Sequence, residues 1–176
     1  MRIDIFSEYQ VSANLHANIT ALRNENFPDY SVPRSYGKQL PNLRVLAFEE
    51  EKLVGYLGID HRVMRFGQTP ISTFGVIDLC VDSRLRGQGI GTLLLEKVEG
   101  VALSAEINAL ILMADDHRIY EKFGFELFNA ECSWLRIDEH QQYGVGTENF
   151  SGELMIKTLS PDLKLEGPVD FLGYMF

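Results

Sequence analysis

The residues with the clearest chemical signature are Arg86-Gly87-Gln88-Gly89-Ile90-Gly91-Thr92, in a chain of 176 residues. Before them, Phe74 to Val81 is rich in branched and aromatic residues, as a buried strand is. After them, Ile90, Leu94 and Val98 recur at the spacing of one helix face. A strand therefore enters a helix through glycines. Without β-carbons at that junction, successive backbone N–H groups can turn toward one anionic group, and the positive end of the helix dipole adds to the attraction. Phosphate is the ligand such a turn suits. Two familiar phosphate loops fail here. No Gly-x-x-x-x-Gly-Lys-Ser/Thr string exists, and the last glycine of Gly-x-Gly-x-x-Gly falls on Thr92 counting from Gly87, or on Leu94 counting from Gly89.

What Arg86-x-x-Gly89-x-Gly91 resembles is the pyrophosphate-binding turn of the GCN5-related N-acetyltransferase (GNAT) superfamily, which holds acetyl-CoA by backbone amides at a strand-to-helix junction. A second stretch, Tyr120-Glu121-Lys122-Phe123-Gly124-Phe125, is similar to that superfamily's Tyr-x-x-x-Gly-Phe. The resemblance implies a cofactor-binding set of Leu79, Cys80 and Val81 on the strand with Arg86, Gly87, Gln88, Gly89, Ile90, Gly91 and Thr92 in the turn. It also implies that Tyr120 protonates the leaving thiolate of CoA; the plainer role for Tyr120 is a half-buried aromatic bonded to backbone. The late Ser151-Gly152-Glu153-Leu154-Met155, with the spacing from Gly55 through Arg65, further resembles the aminoglycoside 2′-N-acetyltransferases.

An amine must be neutral to attack a thioester, so some group has to accept its proton. Many relatives carry a Glu or Asp on the strand before the turn, and Asp78 is the carboxylate available there. Strand alternation places Val76, Asp78 and Cys80 on one face and Ile77, Leu79 and Val81 on the other. Within an otherwise apolar strand, desolvation raises a carboxyl pKa toward what a base needs. The alternative for Asp78 is a salt-bridged or hydrogen-bonded structural carboxylate. Asp60 and His61 are reserve candidates, and His117, beside Asp115 and Asp116, suits the turn before Tyr120. Cys80 is buried by its pattern and a poor nucleophile, which favours direct attack of the amine over an acyl-enzyme.

These residues need a frame. The length suits one domain, here residues 1–176, with 160–176 as a C-terminal extension whose apolar end packs on the domain or on a second copy in a homodimer. Arg2 to Phe6 reads as a strand. Ser12 caps a helix with Leu15, Ile19 and Leu22 on its inner face, ended by Pro28. Pro28 to Pro41, with three prolines, forms a long irregular segment expected at a substrate mouth. Leu43–Phe48, Leu53–Phe66 and the strand ending at Val81 make an antiparallel meander. Ala109–Ala114 then follows a helix crossover and so runs parallel to its predecessor. A short helix over Arg118–Phe123 and strands at Phe125–Phe128, Cys132–Ile137 and Glu153–Thr158 complete the order. The fold class is α/β (α+β): a mixed, mostly antiparallel central sheet flanked by helices, with strands that the resemblance implies are splayed where acetyl-CoA enters.

Composition narrows the function classes. A hydrophobic content of 45% and a charged content of 23% are those of a soluble globule. No apolar run reaches membrane-spanning length and Met1 to Asp4 begins no signal peptide, so the expected location is cytoplasmic, with no membrane partner. A formal charge of −9 argues against nucleic acid and for a neutral or cationic small-molecule amine such as an aminoglycoside or polyamine. Asp138 to Glu153 concentrates acidity in what reads as a glycine-punctuated loop: a solvated surface or an acidic wall around the acceptor. Cys80 and Cys132 read as packed thiols rather than a bridge, and no metal-ligand spacing occurs. The reading is an acetyl-CoA-dependent N-acetyltransferase; the alternatives are a non-catalytic acyl-CoA-binding sensor and a longer-chain N-acyltransferase.

Overall fold

In the computed structural model, which describes residues 1–176, the chain divides into two compact units, Met1–Asp60 with Val76–Gly100, and His61–Gly75 with Val101–Phe176. The first unit opens with β1 (Arg2–Ser7), followed by a short 3-10 turn and helix α1 (Ala13–Asn26). Ser12 caps α1 by accepting the Leu15 N–H at 3.3 Å, which satisfies one of the donors a helix N-terminus leaves open. The helix ends before Pro28, whose ring cannot continue it.

Strand β2 (Leu43–Glu49) pairs antiparallel with β1 and with the first half of β3 (Lys52–Phe66). Ile19 and Leu22 of α1 pack over this sheet onto Leu46, Phe48, Tyr56 and Cys80. The expected helix face is thus the buried one. Close packing continues at Gly55, where an added β-carbon would stand 3.0 Å from Ile90 and 3.1 Å from Leu94 of helix α2 (Ile90–Ser104).

The second unit holds the far half of β3 and the near half of β4 (Thr69–Val81), β5 (Ala109–Met113), α3 (Arg118–Lys122) and five more strands. β4 pairs parallel with β5 through Thr73↔Ala109 to Gly75↔Ile111, as the helical crossover requires, and β5 pairs antiparallel with β9 (Leu154–Thr158), which carries β6 (Glu126–Leu127) on its other side.

One segment differs from the sequence expectation. Gln141–Phe150 is not a loop but strand β8, paired antiparallel with β7 (Ala130–Asp138). Its alternating Tyr143, Val145 and Thr147 carried a strand signal that the intervening Gly144 and Gly146 obscured. The C-terminal residues form β10 (Val169–Tyr174), inserted between β3, antiparallel, and β7, parallel. Val169 and Phe171 are fully buried there, in a core with Met64, Phe66 and Ile111. The Phe176 ring fills the place of the missing side chain at Gly75.

Candidate functional site

At the end of β4 the sequence turns through features that each have a physical cause. The Asp82 N–H donates to Val54 O at 2.9 Å, and the Asp82 carboxylate caps the following 3-10 turn (Ser83–Leu85) by accepting the Arg84 N–H at 3.1 Å. The Arg84 guanidinium and the Lys52 ammonium also bond Asp82, each at 2.7 Å, and hold this nearly buried carboxyl far below the usual carboxylate range.

Gly87 and Gly89 then adopt φ of +76° and +82°, the left-handed region that glycine enters without a side-chain clash. Nothing lies within 4 Å of where a β-carbon would stand at either residue. The Leu93 N–H donates to Gly89 O at 3.0 Å, so the amides before it, at the positive end of α2, have no carbonyl of the helix to pair with. No side chain therefore stands between the backbone of Gly87 or Gly89 and solvent. Arg86 is exposed and its Nη2 donates to Asn26 Oδ1 of α1 at 2.7 Å.

Asp78 departs from the sequence expectation. Its φ is +52°, so the strand alternation that put it on a face with Val76 and Cys80 is interrupted. Nor is it an isolated carboxylate among apolar side chains. Arg23 Nε donates to Asp78 Oδ2 at 2.6 Å, with the two side chains 6% and 17% exposed. Arg23 Nη1 also donates to Tyr30 O at 2.9 Å, fastening the chain after α1. Arg23 was not legible from sequence, because its partner is far along the chain and an arginine at a helix C-terminus reads as a dipole-compensating surface charge.

Cys80 is buried, and burial pushes its thiol well above the ordinary range, with the Asp78 charge adding to the shift. It is not a thiolate nucleophile. Cys132 is likewise free and buried, its thiol pushed up to about 11 by burial. Leu79 and Val81 flank Cys80 at intermediate exposure.

Alongside lies a second polar cluster that sequence reasoning missed. Arg44 of β2 is fully buried; its Nη2 donates to Glu8 Oε1 at 3.1 Å, its Nε to Glu8 Oε2, and its Nη1 to Tyr56 Oη at 3.0 Å and Ser35 O at 2.8 Å. Burial raises the Tyr56 phenol far above its ordinary range, so it stays a neutral hydroxyl. Part of the Pro28–Pro41 segment, Pro33 to Tyr36 and Leu40 to Pro41, lines a cleft of about 980 Å³ over this cluster.

In the second unit, Tyr120 sits in α3, half-buried, with its ring edge-to-face to Phe125 at 5.8 Å and its carbonyl accepting the Phe123 and Phe125 N–H groups at 3.0 Å. Gly124 makes that turn with φ of +90°. Of the reserve candidates, Asp60 is buried and His61 Nε2 lies 3.3 Å from Ser72 Oγ. His117 Nε2 lies 3.1 Å from Ala114 O, inside the turn before α3.

The protein is thus of the α/β class, with a mixed sheet, a strand-to-helix junction opened by left-handed glycines and the buried Asp82 carboxylate just before it. The sequence profile of the acetyltransferase (GNAT) family matches residues 9–125, and the chain belongs to that family. The fold is shared with solved structures. An aminoglycoside 6′-N-acetyltransferase complexed with coenzyme A superposes with a TM-score of 0.63, at 18% identity over 93% of this chain and 100% of that one. A GNAT family N-acetyltransferase (YhbS) from Escherichia coli in complex with CoA gives 0.62 at 19% identity, over 97% of this chain and 89% of that one. A GCN5-related N-acetyltransferase from Anabaena variabilis gives 0.62 at 20% identity over 75% of this chain, which spans 34% of its length.

Proposed function

We propose that this acetyltransferase moves an acetyl group from acetyl-CoA directly to the primary amine of a cationic small molecule. The observation that carries the reading is the turn at Gly87 and Gly89, left-handed and open where β-carbons would stand. Backbone amides there suit the pyrophosphate of CoA, and the thioester supplies an activated acyl carbon. The amine nitrogen attacks that carbon; the C–N bond forms as the C–S bond breaks. The amine's proton goes to a base and the departing sulfur takes a proton from an acid. Asp78 is the proposed base. Arg23 holds its Oδ2, which leaves Oδ1 to accept the proton. Tyr120 is the proposed acid. The raised Cys80 thiol supports transfer without an acyl-enzyme.

A formal charge of −9 favours cationic acceptors, among which amino sugars such as aminoglycosides and polyamines are the reading that charge alone supports. The test is steady-state turnover of acetyl-CoA against a panel of amines, with wild type and Tyr120→Phe. The expected result is turnover by wild type and a kcat at least about tenfold lower in the variant at unchanged CoA affinity, since the lost interaction belongs to the transition state. CoA binding without turnover of any amine would make the chain an acyl-CoA sensor instead, and preference for longer acyl-CoA would make it a longer-chain acyltransferase.

A further inference from the structure

The cleft of about 980 Å³ in the first unit has the size of a small-molecule site, within the roughly 300–1,000 Å³ such sites occupy. One wall is α1, where His16, Ala17 and Thr20 line it from one helix face. Arg23 continues that face by a further turn, and Arg23 is the residue that grips Asp78. The opposite wall is the segment from Pro33 to Pro41. Within it, a β-carbon added at Gly37 would stand 3.4 Å from Arg23 Nη2. The Arg23–Asp78 pair does not itself line the cleft but adjoins both walls, one helical turn beyond Thr20 and beside Gly37.

The chemistry of the lining is unlike that of the molecule as a whole. Although the chain carries −9, Glu8 is the one carboxylate among the lining residues, and both of its oxygens already accept from buried Arg44. The other charged lining residue is Arg34. No carboxylate stands ready for the second and third ammonium groups of a polyamine or an amino sugar. The remaining surface is largely apolar, with Val11, Pro33, Tyr36, Leu40 and Pro41, and Leu40 is 51% exposed at the rim. A His16 Nδ1 and Ser35 Oγ pair, 2.7 Å apart, supplies one polar point in the wall.

We infer that this cleft is the acceptor site and that it takes a monoamine with an apolar, ring-sized body in preference to a polycation. The inference rests on the transferase reading above and replaces the polycationic acceptors that charge alone supports with a monoamine. The single ammonium is directed toward Asp78, while the body displaces water from Tyr36, Leu40 and Val11, a burial favourable by roughly 25 cal/mol per Å² of apolar surface.

Titration calorimetry of the whole chain with 2-phenylethylamine and with spermidine, in the absence of acetyl-CoA, tests the cleft apart from the chemistry. Ala17 is exposed on the cleft wall, so Ala17→Phe fills the cleft without entering the core. Leu40→Asp adds an unpaired carboxylate at the exposed rim. The expected results are binding of 2-phenylethylamine at least about tenfold tighter than spermidine, loss of that preference in Leu40→Asp, and at least about tenfold weaker 2-phenylethylamine binding in Ala17→Phe at unchanged CoA affinity. No binding of 2-phenylethylamine, equal binding in folded Ala17→Phe, or tighter spermidine binding by wild type overturns the inference. If 2-phenylethylamine binds as expected but no amine of the panel is acetylated, the transferase reading fails, and the cleft stands as a monoamine-binding site rather than an acceptor site.

Discussion

At Gly89 a backbone angle and an absence of side-chain atoms leave room for the cofactor's phosphates. With φ at +82° and open space at the β-carbon position, Gly89→Val puts a branched side chain into the space an oxyanion needs and strains the backbone as well. The expected outcome is CoA binding weakened at least about tenfold, or about 1.4 kcal/mol, by calorimetry on protein whose circular dichroism is unchanged; undiminished affinity would remove the basis of the reading. This turn was legible in the sequence because its chemistry permits few residue types. Asp78 was legible only as a carboxylate in a strand. Its left-handed backbone and its bond to Arg23, 55 positions away, depend on how α1 lies over the sheet. If Asp78 accepts the amine's proton, Asp78→Asn lowers kcat/KM most near neutral pH and less at higher pH, where more of the amine is already neutral. A uniform loss across pH would assign Asp78 to structure, holding the strand's irregularity through Arg23.

Among the elements, the strand-to-helix junction also depends on Asp82, which caps the 3-10 turn between β4 and the glycines. Hydrogen bonds from Arg84 first, and then Lys52, hold its carboxyl below the ordinary value of 3.8. A carboxyl whose folded pKa is depressed stabilises the fold above its unfolded pKa, and that contribution disappears as pH falls toward the folded value. Asp82→Asn should therefore lower Tm relative to wild type at about pH 6, with the gap narrowing steadily below about pH 4. A gap independent of pH would mean that the cap acts through shape rather than charge. The helices and the β2–β4 meander were legible because apolar spacing, Ser12 and Pro28 each gave a local signal. β8 and β10 were not. β8 is exposed along nearly all its length and carries two glycines, and β10 owes its place between β3 and β7 to partners more than 30 residues distant.

Across the whole molecule the relevant quantity is the charge of −9, with a sequence pI near 4.9. Neither the cleft lining nor the glycine turn accounts for it: the cleft's one carboxylate is ion-paired, and the turn favours anions. For the cationic acceptor proposed above, the acidic charge would act at a distance, raising the amine's local concentration, rather than by contact inside the site. Such steering is screened over about 10 Å at 0.1 M salt and about 8 Å at 0.15 M, whereas packing of an apolar body in the cleft is not. It follows that kcat/KM for 2-phenylethylamine falls as ionic strength rises from about 0.01 M to about 0.15 M, while the value for an aryl amine that is neutral at the same pH stays level. The two effects separate in kinetics: KM for the cationic amine rises with salt at constant kcat. A salt response shared equally by both acceptors would trace to acetyl-CoA, whose phosphates the same acidic field repels, and the acidic surface would then have no part in choosing the amine.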